Sequence, residues 1–183
     1  MLLSESELLR RARQFDERAL GEIYDRLSPA LYRYAYRLLG EVSLAEEVVA
    51  DAFHRYLLAL RNGGGPTEHL SAYLYRVAHN LITDRFRRPP PLELALDESL
   101  VAADSDPGEN VDSAQAQARA RAALWLLTPE QRQVIVLKYF EGLSNEEAAA
   151  ALDRPVSAVK SLQHRALASL QRLLGEETRE LLR

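Results

Sequence analysis

The sequence predicts an all-α protein with two small helical domains joined by a flexible acidic linker. Apolar residues recur at spacings of three and four through most of the chain, and the period-two alternation of strands is absent. A stretch of proline, acidic and small residues divides this helical pattern in two. These observations place the first domain at residues 1–88, the linker at 89–111 and the second domain at 112–183.

The first domain contains an apolar stripe from Leu20 to Leu38 that predicts a helix. Pro29 interrupts the stripe, so we expect a break or kink close to it. Gly40 is expected to end this helix, and Ser43 with Glu46 forms a capping-box pattern that opens the next one. Helical periodicity therefore organises this domain from its beginning.

The remaining helices are placed by the same kinds of signal. Residues 62–67 (NGGGPT) cannot propagate a helix, so a new helix is expected over about 69–88. In the second domain, three helix starts carry N-cap residues, and these are Thr128 with Pro129 and Gln131, Ser144 with Glu147, and Ser157. Their helices are expected to end at Gly142, at the turn DRPV (153–156) and at about Leu174.

The composition is that of a soluble cytoplasmic protein. Apolar residues make up 47% of the 183, and no apolar run approaches the ~20 residues that span a bilayer. The N-terminus lacks the basic start, apolar centre and cleavage site of a signal peptide. There is no cysteine, and the four histidines do not pair with acids at metal-ligand spacing. No metal, cofactor or catalytic residue is expected, since P-loop and nucleophile-elbow patterns are also absent.

Charge is distributed unevenly along the chain. The formal net charge is −4, but residues 89–118 carry seven acids and no base, which leaves 23 basic against 20 acidic residues elsewhere. Basic residues cluster at 85–88 (RFRR) and in 157–173, a segment without acids. Because a local patch rather than the average charge contacts phosphate, nucleic acid is not excluded as a partner.

The stretch LSNEEAAAALDRPVSAVKSLQHRAL (143–167) predicts two short helices joined by a tight turn. On a helical wheel, Val159, Leu162 and Ala166 share an inner arc, whereas the outer arc holds Lys160, Ser161, His164, Arg165, Ala168 and Arg172. A DNA-reading helix needs such a basic, hydrogen-bonding outer face. An ordinary bundle corner has the same periodicity, so both interpretations stay open here. The absence of acids on the outer arc favours DNA reading.

The second domain resembles a known family. The run LTPEQRQVIVLKYFEGLSNEEAAAALDRPVSAVKSLQHRALASL (127–170) is similar to region 4, the promoter-reading domain of bacterial sigma factors. The similarity is to the small extracytoplasmic-function (ECF, group IV) class of the sigma-70 family. In the first domain, AEEVVADAFHRYLLAL (45–60) resembles region 2.2, which docks on RNA polymerase. The run AYLYRVAHNLITDRFRR (72–88) resembles the segment that melts and reads the −10 element.

The resemblance implies a sigma factor, which directs promoter-specific transcription initiation and is not an enzyme. Its implied partners are core RNA polymerase (clamp helices and flap), promoter DNA and an anti-sigma factor. The linker would follow the RNA channel of polymerase, either as an acidic mimic of nucleic acid or as a plain spacer. The alternatives are a stand-alone helix-turn-helix regulator and a decoy that sequesters an anti-sigma protein. The polymerase-docking segment argues against the regulator, and the basic face of 157–173 argues against the decoy.

The family's roles carry over to individual positions. The residues implied to contact the −35 element are Ser157, Lys160, Ser161, His164 and Arg165. Those implied for the −10 element are Asn62, Tyr73, Arg76, Asn80, Arg85, Arg87 and Arg88, with the loop 62–69 completing a pocket for a flipped base. Those implied to dock on polymerase are Glu46, Glu47, Asp51 and Phe53. His79 is expected to face phosphate.

Some positions depart from the family pattern. Leu162 and Gln163 stand where many relatives have Arg and Leu, and Leu162 is predicted to point inward. Ala50 replaces a frequent Gln of the docking helix, and Tyr73 replaces a frequent Trp. Three glycines at 63–65 replace a bulkier loop, so the −10 base preference does not transfer from relatives.

Overall fold

The computed structural model describes residues 4–87 and 122–181, with side chains described for 4–86 and 122–173. Arg88 and the predicted linker at 89–111 lie outside the described residues, as does the side chain of Arg87. The regular structure of the described residues is helical, which confirms the all-α prediction. The numbered helices are α1 (Glu5–Ala12), α2 (Glu17–Leu39), α3 (Val42–Arg61), α4 (Leu70–Arg87), α5 (Pro129–Ile135), α6 (Asn145–Leu152) and α7 (Val156–Leu181). Residues 122–125 are also helical. A π-helical turn, Val136–Phe140, continues α5.

Pro29 lies inside α2, so the predicted helix break is wrong. A proline within a helix loses one backbone hydrogen bond and costs about 3 kcal/mol. Buried side chains on both sides of it, including Ile23 and Leu31, anchor the two halves of α2 in the same core. Burial of each such side chain contributes about 1.5–3 kcal/mol, so packing outweighs the local penalty.

Two predicted helix starts also differ from the structure. α3 begins at Val42 after Glu41, with no side-chain cap, and the Ser43 hydroxyl donates to the Glu41 carboxylate. α7 begins at Val156, so Ser157 lies inside its first turn rather than capping it. The capping boxes of Thr128 with Gln131 and Ser144 with Glu147 are confirmed, since both reciprocal hydrogen bonds are present in each.

The helix α4 is shared between the two predicted domains. It packs on α2 and α3 in the first domain and on α6 of the second. A continuous apolar core joins the domains and includes Leu74 and Ile82 from the first and Leu152 and Val159 from the second. The two helical units are therefore packed directly against each other.

Polar contacts between the domains centre on Glu141, whose side chain is only 2% exposed. Its carboxylate pairs with the Arg37 guanidinium at 2.9 Å and accepts a hydrogen bond from the Tyr75 hydroxyl at 3.0 Å. The Arg37 guanidinium also lies 4.8 Å from the centroid of the Phe140 ring. Burial raises the pKa of Tyr75, and the neighbouring carboxylate raises it further, so this hydroxyl stays a donor. Glu141 thus has both partners in the first domain.

Candidate nucleic-acid interface

The first turns of α7 separate an inner from an outer face. Val159 and Ala166 are fully buried and Leu162 is 4% exposed. The outer residues are all exposed, and they are Ser157, Lys160, Ser161, His164 and Arg165. The division predicted by the helical wheel is therefore the one found, including the inward position of Leu162. Burial of the inner side chains holds the basic and hydroxyl groups outward.

Helix α6 supports α7 at close range. Its buried face consists of small residues, chiefly Ala148, Ala149 and Ala151, which allow two helices to approach closely. Asp153 ends α6 in a left-handed conformation (φ 51°), and this tight turn redirects the chain into α7. The α6–turn–α7 unit is a helix-turn-helix with its second helix presented to solvent.

The start of α6 is stabilised electrostatically. The Glu147 carboxylate accepts from the Ser144 backbone amide at 2.7 Å, and the Ser144 hydroxyl accepts from the Glu147 amide at 3.1 Å. These hydrogen bonds lower the pKa of Glu147 below its ordinary value, because they favour the ionised carboxylate. The helix that positions the reading face thus begins at a well-defined residue.

Gln163 has a structural partner at the edge of the outer face. Its side-chain amide donates to the Tyr139 hydroxyl at 2.9 Å. Tyr139 is itself 54% exposed and sits in the π-helical turn. This contact links α7 to the π-helical turn that continues α5, at one of the positions that depart from the family pattern.

Helix α4 and the preceding loop form a cleft of about 410 Å³. It is lined by Gly65, Pro66, Thr67, Glu68, His69, Ala72, Tyr73, Arg76 and Ala150. The Arg76 guanidinium lies over the Tyr73 ring, 5.6 Å from its centroid. An aromatic ring beside a cation offers a stacking surface and a phosphate partner within one cleft. Ala150, from α6 of the second domain, forms part of its wall.

Three other residues predicted for the −10 element have described side chains and do not line this cleft. Asn62 and Asn80 are exposed but do not line it. The Arg85 guanidinium pairs with the Glu47 carboxylate of α3. Of the residues predicted for the −10 element, Tyr73 and Arg76 therefore line the cleft together with the loop. Asn80 lies on the same helix, α4, but does not line the cleft.

The predicted polymerase-docking residues lie on α3. Glu46, Glu47 and Asp51 are exposed, but Phe53 is 8% exposed and packs on Tyr24, with ring centroids 4.8 Å apart. The Phe53 ring fills the space between α2 and α3 and presents little surface, so its expected contact with polymerase stays a prediction. The exposed ring there is Tyr24, at 48%.

A groove of about 520 Å³ runs between α2 and α3 beside these carboxylates. It is lined by Tyr24, Ser28, Pro29, Tyr32, Arg33, Glu46, Val49 and Ala50. Tyr32 stacks on Tyr36, with nearly parallel rings 6.0 Å apart. The spacing of Tyr32 and Tyr36 indicates a shared face from the sequence alone, whereas the exposure of Tyr24 required the packing of α3.

His79 does not face solvent as a phosphate ligand would. It is half-buried beside the second domain, and burial lowers the pKa of its imidazole, with Arg154 adding to the effect. Its Nδ1 atom is buried without a hydrogen-bond partner. In this packed arrangement α4 turns the His79 side towards the second domain, so the expected phosphate-facing role stays a prediction.

Sequence reasoning missed the contribution of α1. The Arg13 side chain donates to the backbone carbonyls of Gly65 and Pro66, and the Glu5 carboxylate accepts from the Leu70 amide. The partners in these hydrogen bonds are separated by more than fifty residues, so no local sequence pattern predicts them. They place the N-terminal helix against the loop that lines the cleft.

Among residues 4–87 and 122–181, no group of three or more His, Cys, Asp or Glu side chains could hold a metal ion. Within the same ranges, no helix is both long and apolar enough to cross a membrane.

Family models match both parts of the chain. The model described as Sigma-70 region 2 matches residues 23–89, and the model described as Sigma-70, region 4 matches residues 117–170. The first covers α2 to α4 with the cleft, and the second covers the helix-turn-helix. Both matches occur in the order that the sequence motifs indicated.

Relatives of known role match nearly the whole chain. The ECF RNA polymerase sigma factor SigW of Bacillus subtilis is 31% identical, over 92% of this chain and 95% of its own length. The ECF RNA polymerase sigma factor BldN of Streptomyces coelicolor is 31% identical, over 94% of this chain and 67% of its own. The solved structure of CnrH, in complex with the cytosolic domain of CnrY, superposes with a TM-score of 0.71 at 29% identity, over 94% and 97% of the two chains. With two matched regions and relatives aligned over almost its full length, this chain belongs to the ECF sigma factors of the sigma-70 family.

Proposed function

We propose that this protein is a group IV sigma factor that acts in the cytoplasm, binds core RNA polymerase and reads the −35 and −10 elements of its promoters. It has no catalytic chemistry of its own in this role. The observation that carries the proposal is the presence, in one chain, of an exposed basic reading helix and of an aromatic cleft beside a second helix. A stand-alone regulator would need only the first of these.

The −35 element is read by α7. Its outer face enters the major groove, where Lys160 and Arg165 donate to guanine or phosphate and Ser161 and His164 add hydrogen bonds. The exposure of all four groups and the burial of Val159 support this orientation. Ser157, in the first turn, lies where the helix N-terminus favours a phosphate.

The −10 element is opened and held by α4 and its preceding loop. Tyr73 offers a ring for stacking, and Arg76 a cation for the backbone of the opened strand. The loop and α4 side of the cleft belongs to the first domain and stays with it when the domains separate. A flipped nucleobase is placed there, and its extrusion costs a few kcal/mol that the contacts must offset. Asn62 and Asn80, which are exposed, are assigned to neighbouring nucleotides, and Arg85, Arg87 and Arg88 are assigned to phosphates beyond the cleft.

Polymerase binding is assigned to α3 and the groove beside it. Glu46, Glu47 and Asp51 present carboxylates for basic groups of the clamp helices, and Tyr24 presents an exposed aromatic ring beside Phe53. The second domain would meet the flap. CnrH was solved with the cytosolic domain of CnrY, and we extend that likeness to an anti-sigma partner for this chain.

Reading both elements at once requires the two domains to separate. The labels −35 and −10 differ by about 25 base pairs, which is about 85 Å of B-form DNA. Packed helices lie about 8–10 Å apart, so α4, α6 and α7 in their present stack span only about 20 Å between outer axes. The closed arrangement is therefore the form outside the promoter complex.

The proposal is tested by reconstitution with core RNA polymerase and run-off transcription over a randomised promoter library. We expect enrichment of promoters with two conserved elements at a fixed spacing. A matched control carries Lys160→Ala and Arg165→Ala together, which should abolish selection at the upstream element only. No stimulation by the unaltered protein would refute the proposal, and enrichment of a single upstream element would favour a stand-alone regulator.

A further inference from the structure

The loop before α4 is held by a helix far away in the sequence. Its first turn follows from local hydrogen bonds, because the Gly63 and Gly64 amides donate to the Leu60 and Ala59 carbonyls. Gly65 then adopts a left-handed conformation, and a Cβ there would lie 3.1 Å from Leu60 Cδ2. Beyond this glycine, the contacts that define the loop come from α1.

Arg13, just after α1, binds the middle of the loop. Its Nη2 atom donates to the Gly65 carbonyl at 3.2 Å and to the Pro66 carbonyl at 3.0 Å. Both residues line the cleft beside α4. A charged donor shared by two adjacent carbonyls restrains the backbone at the point where it forms the wall of the cleft.

Glu5, at the start of α1, binds the end of the loop. Its carboxylate accepts from the Leu70 amide at 2.9 Å, so it takes the part of an N-cap for α4 from 65 residues away. The residue before, His69, is a non-glycine residue with φ at 53°. Such a conformation persists only where the surroundings determine it, and the Glu5 contact is adjacent to it.

Arg13 is also close to the aromatic side of the cleft. Burial raises the pKa of Tyr56 to about 12, and the nearby Arg13 guanidinium opposes that rise. The Tyr56 ring meets the Tyr73 ring at a centroid distance of 6.1 Å. Arg13 therefore contacts the loop backbone that lines the cleft, and it also lies near Tyr56, whose ring packs against the Tyr73 ring.

We propose that Glu5 and Arg13 are positioning residues that preorganise the loop 62–69 to receive an extruded base of the −10 strand. The inference rests on the function proposed above and adds α1 to the promoter-reading machinery. Ordering a loop with two left-handed glycines would otherwise lose conformational entropy during DNA binding and lower the affinity. Because contacts with α1 already order the loop in the free protein, this loss does not occur on binding. Neither residue needs to touch DNA for this effect.

The test uses full-length protein bound to core RNA polymerase and a fork-junction DNA made from a promoter recovered in the library experiment. Affinity is measured for the intact probe and for probes with an abasic site at each −10 position. The position with the largest ratio of intact to abasic affinity identifies the extruded base. The variants are Arg13→Ala, Arg13→Lys, Glu5→Ala and Glu5→Gln, with Arg10→Ala as matched control, because Arg10 lies on α1 and is paired with Glu7.

Glu5→Ala removes one charge-assisted hydrogen bond and should lower that ratio by about tenfold, and Arg13→Ala removes two and should lower it by at least as much. Affinity for the abasic probe and for a −35 duplex should stay within about twofold of the unaltered protein. Arg13→Lys and Glu5→Gln keep a donor and an acceptor and should restore most of the ratio. Arg10→Ala should leave it unchanged.

An equal loss of affinity for intact and abasic probes would overturn the inference, since it would indicate a phosphate contact or general damage. An unchanged ratio in both alanine variants would also overturn it while leaving the −10 assignment intact. If the unaltered holoenzyme distinguishes no base from its abasic form, the base pocket itself is refuted, and this outcome needs no variant to recognise.

Discussion

At the scale of single residues, the outer face of α7 presents exposed arginine side chains that can donate hydrogen bonds to DNA. Arg165 projects from the exposed face, and its Nε lies 3.4 Å from the Ser161 carbonyl, a long contact that leaves the guanidinium available. Arg172 is also exposed, but it lies two turns farther along the same helix. These two arginines allow base reading to be separated from general attraction to phosphate.

Arg165→Ala is expected to relax the −35 preference at one position and to cost ~1–3 kcal/mol of promoter affinity. The reason is that a guanidinium in the major groove donates to a particular base edge. Binding to a library of upstream duplexes measures the effect, with Arg172→Ala as the matched control. A uniform loss over all sequences would show that Arg165 contacts phosphate instead.

Phe53, which the family resemblance assigns to polymerase docking, is buried, whereas the neighbouring Tyr24 ring is exposed. Phe53→Ala should lower the free energy of unfolding by about 3–5 kcal/mol, because it empties the space between α2 and α3. Tyr24→Ala should cost less stability and weaken polymerase binding more. Chemical denaturation and core-binding assays measure the two effects. Equal stability loss in both variants would contradict the assignment of Tyr24 to the surface.

At the scale of elements, the capping box of α6 makes the reading unit sensitive to acid. Glu147 has a lowered pKa in the folded protein, so its contribution to stability is complete above its ordinary value of 4.5 and is lost as pH falls through the folded value. Glu147→Gln should therefore destabilise by about 0.5–1 kcal/mol at pH 7 and by less at pH 3, because the stabilisation by the carboxylate declines as the pH falls below 4.5.

Thermal unfolding at the two pH values measures this difference. Glu146→Gln is the matched control, because Glu146 occupies the same helical turn and is exposed. If Glu147→Gln destabilises equally at both pH values, its effect comes from packing and not from the ionised carboxylate.

At the scale of the whole molecule, Glu141 joins the two domains. Glu141→Ala removes the buried carboxylate that pairs with the Arg37 guanidinium and accepts from the Tyr75 hydroxyl, and a hydrogen bond to a charged group contributes about 1.5–3 kcal/mol. Because separating the domains lets water reach both groups, we expect a larger radius of gyration with unchanged helix content. Small-angle scattering and circular dichroism measure these quantities.

The matched control for this experiment is Arg154→Ala, which breaks an exposed ion pair with Glu130 inside the second domain. It should leave the radius of gyration unchanged, since exposed pairs contribute only about 0–1 kcal/mol. A compact Glu141→Ala protein would mean that the apolar core alone holds the domains together.

The sequence by itself determined the helices, two capping boxes and the outward face of α7. Each of these follows from residues three or four positions apart, as with Ser144 and Glu147 or Lys160 and His164, so the information is local. The same holds for the motifs that identified both sigma regions. Their order along the chain was enough to predict the class of protein.

Only the tertiary structure decided which of these residues are buried, and against what. Pro29 stays helical, Phe53 is covered and His79 turns inward because distant helices pack on them. Glu5 and Glu141 find their partners across 65 or more residues, a separation at which no periodic pattern carries information. Periodicity specifies a face of a helix, but the identity of the neighbour depends on how the whole chain shares one core.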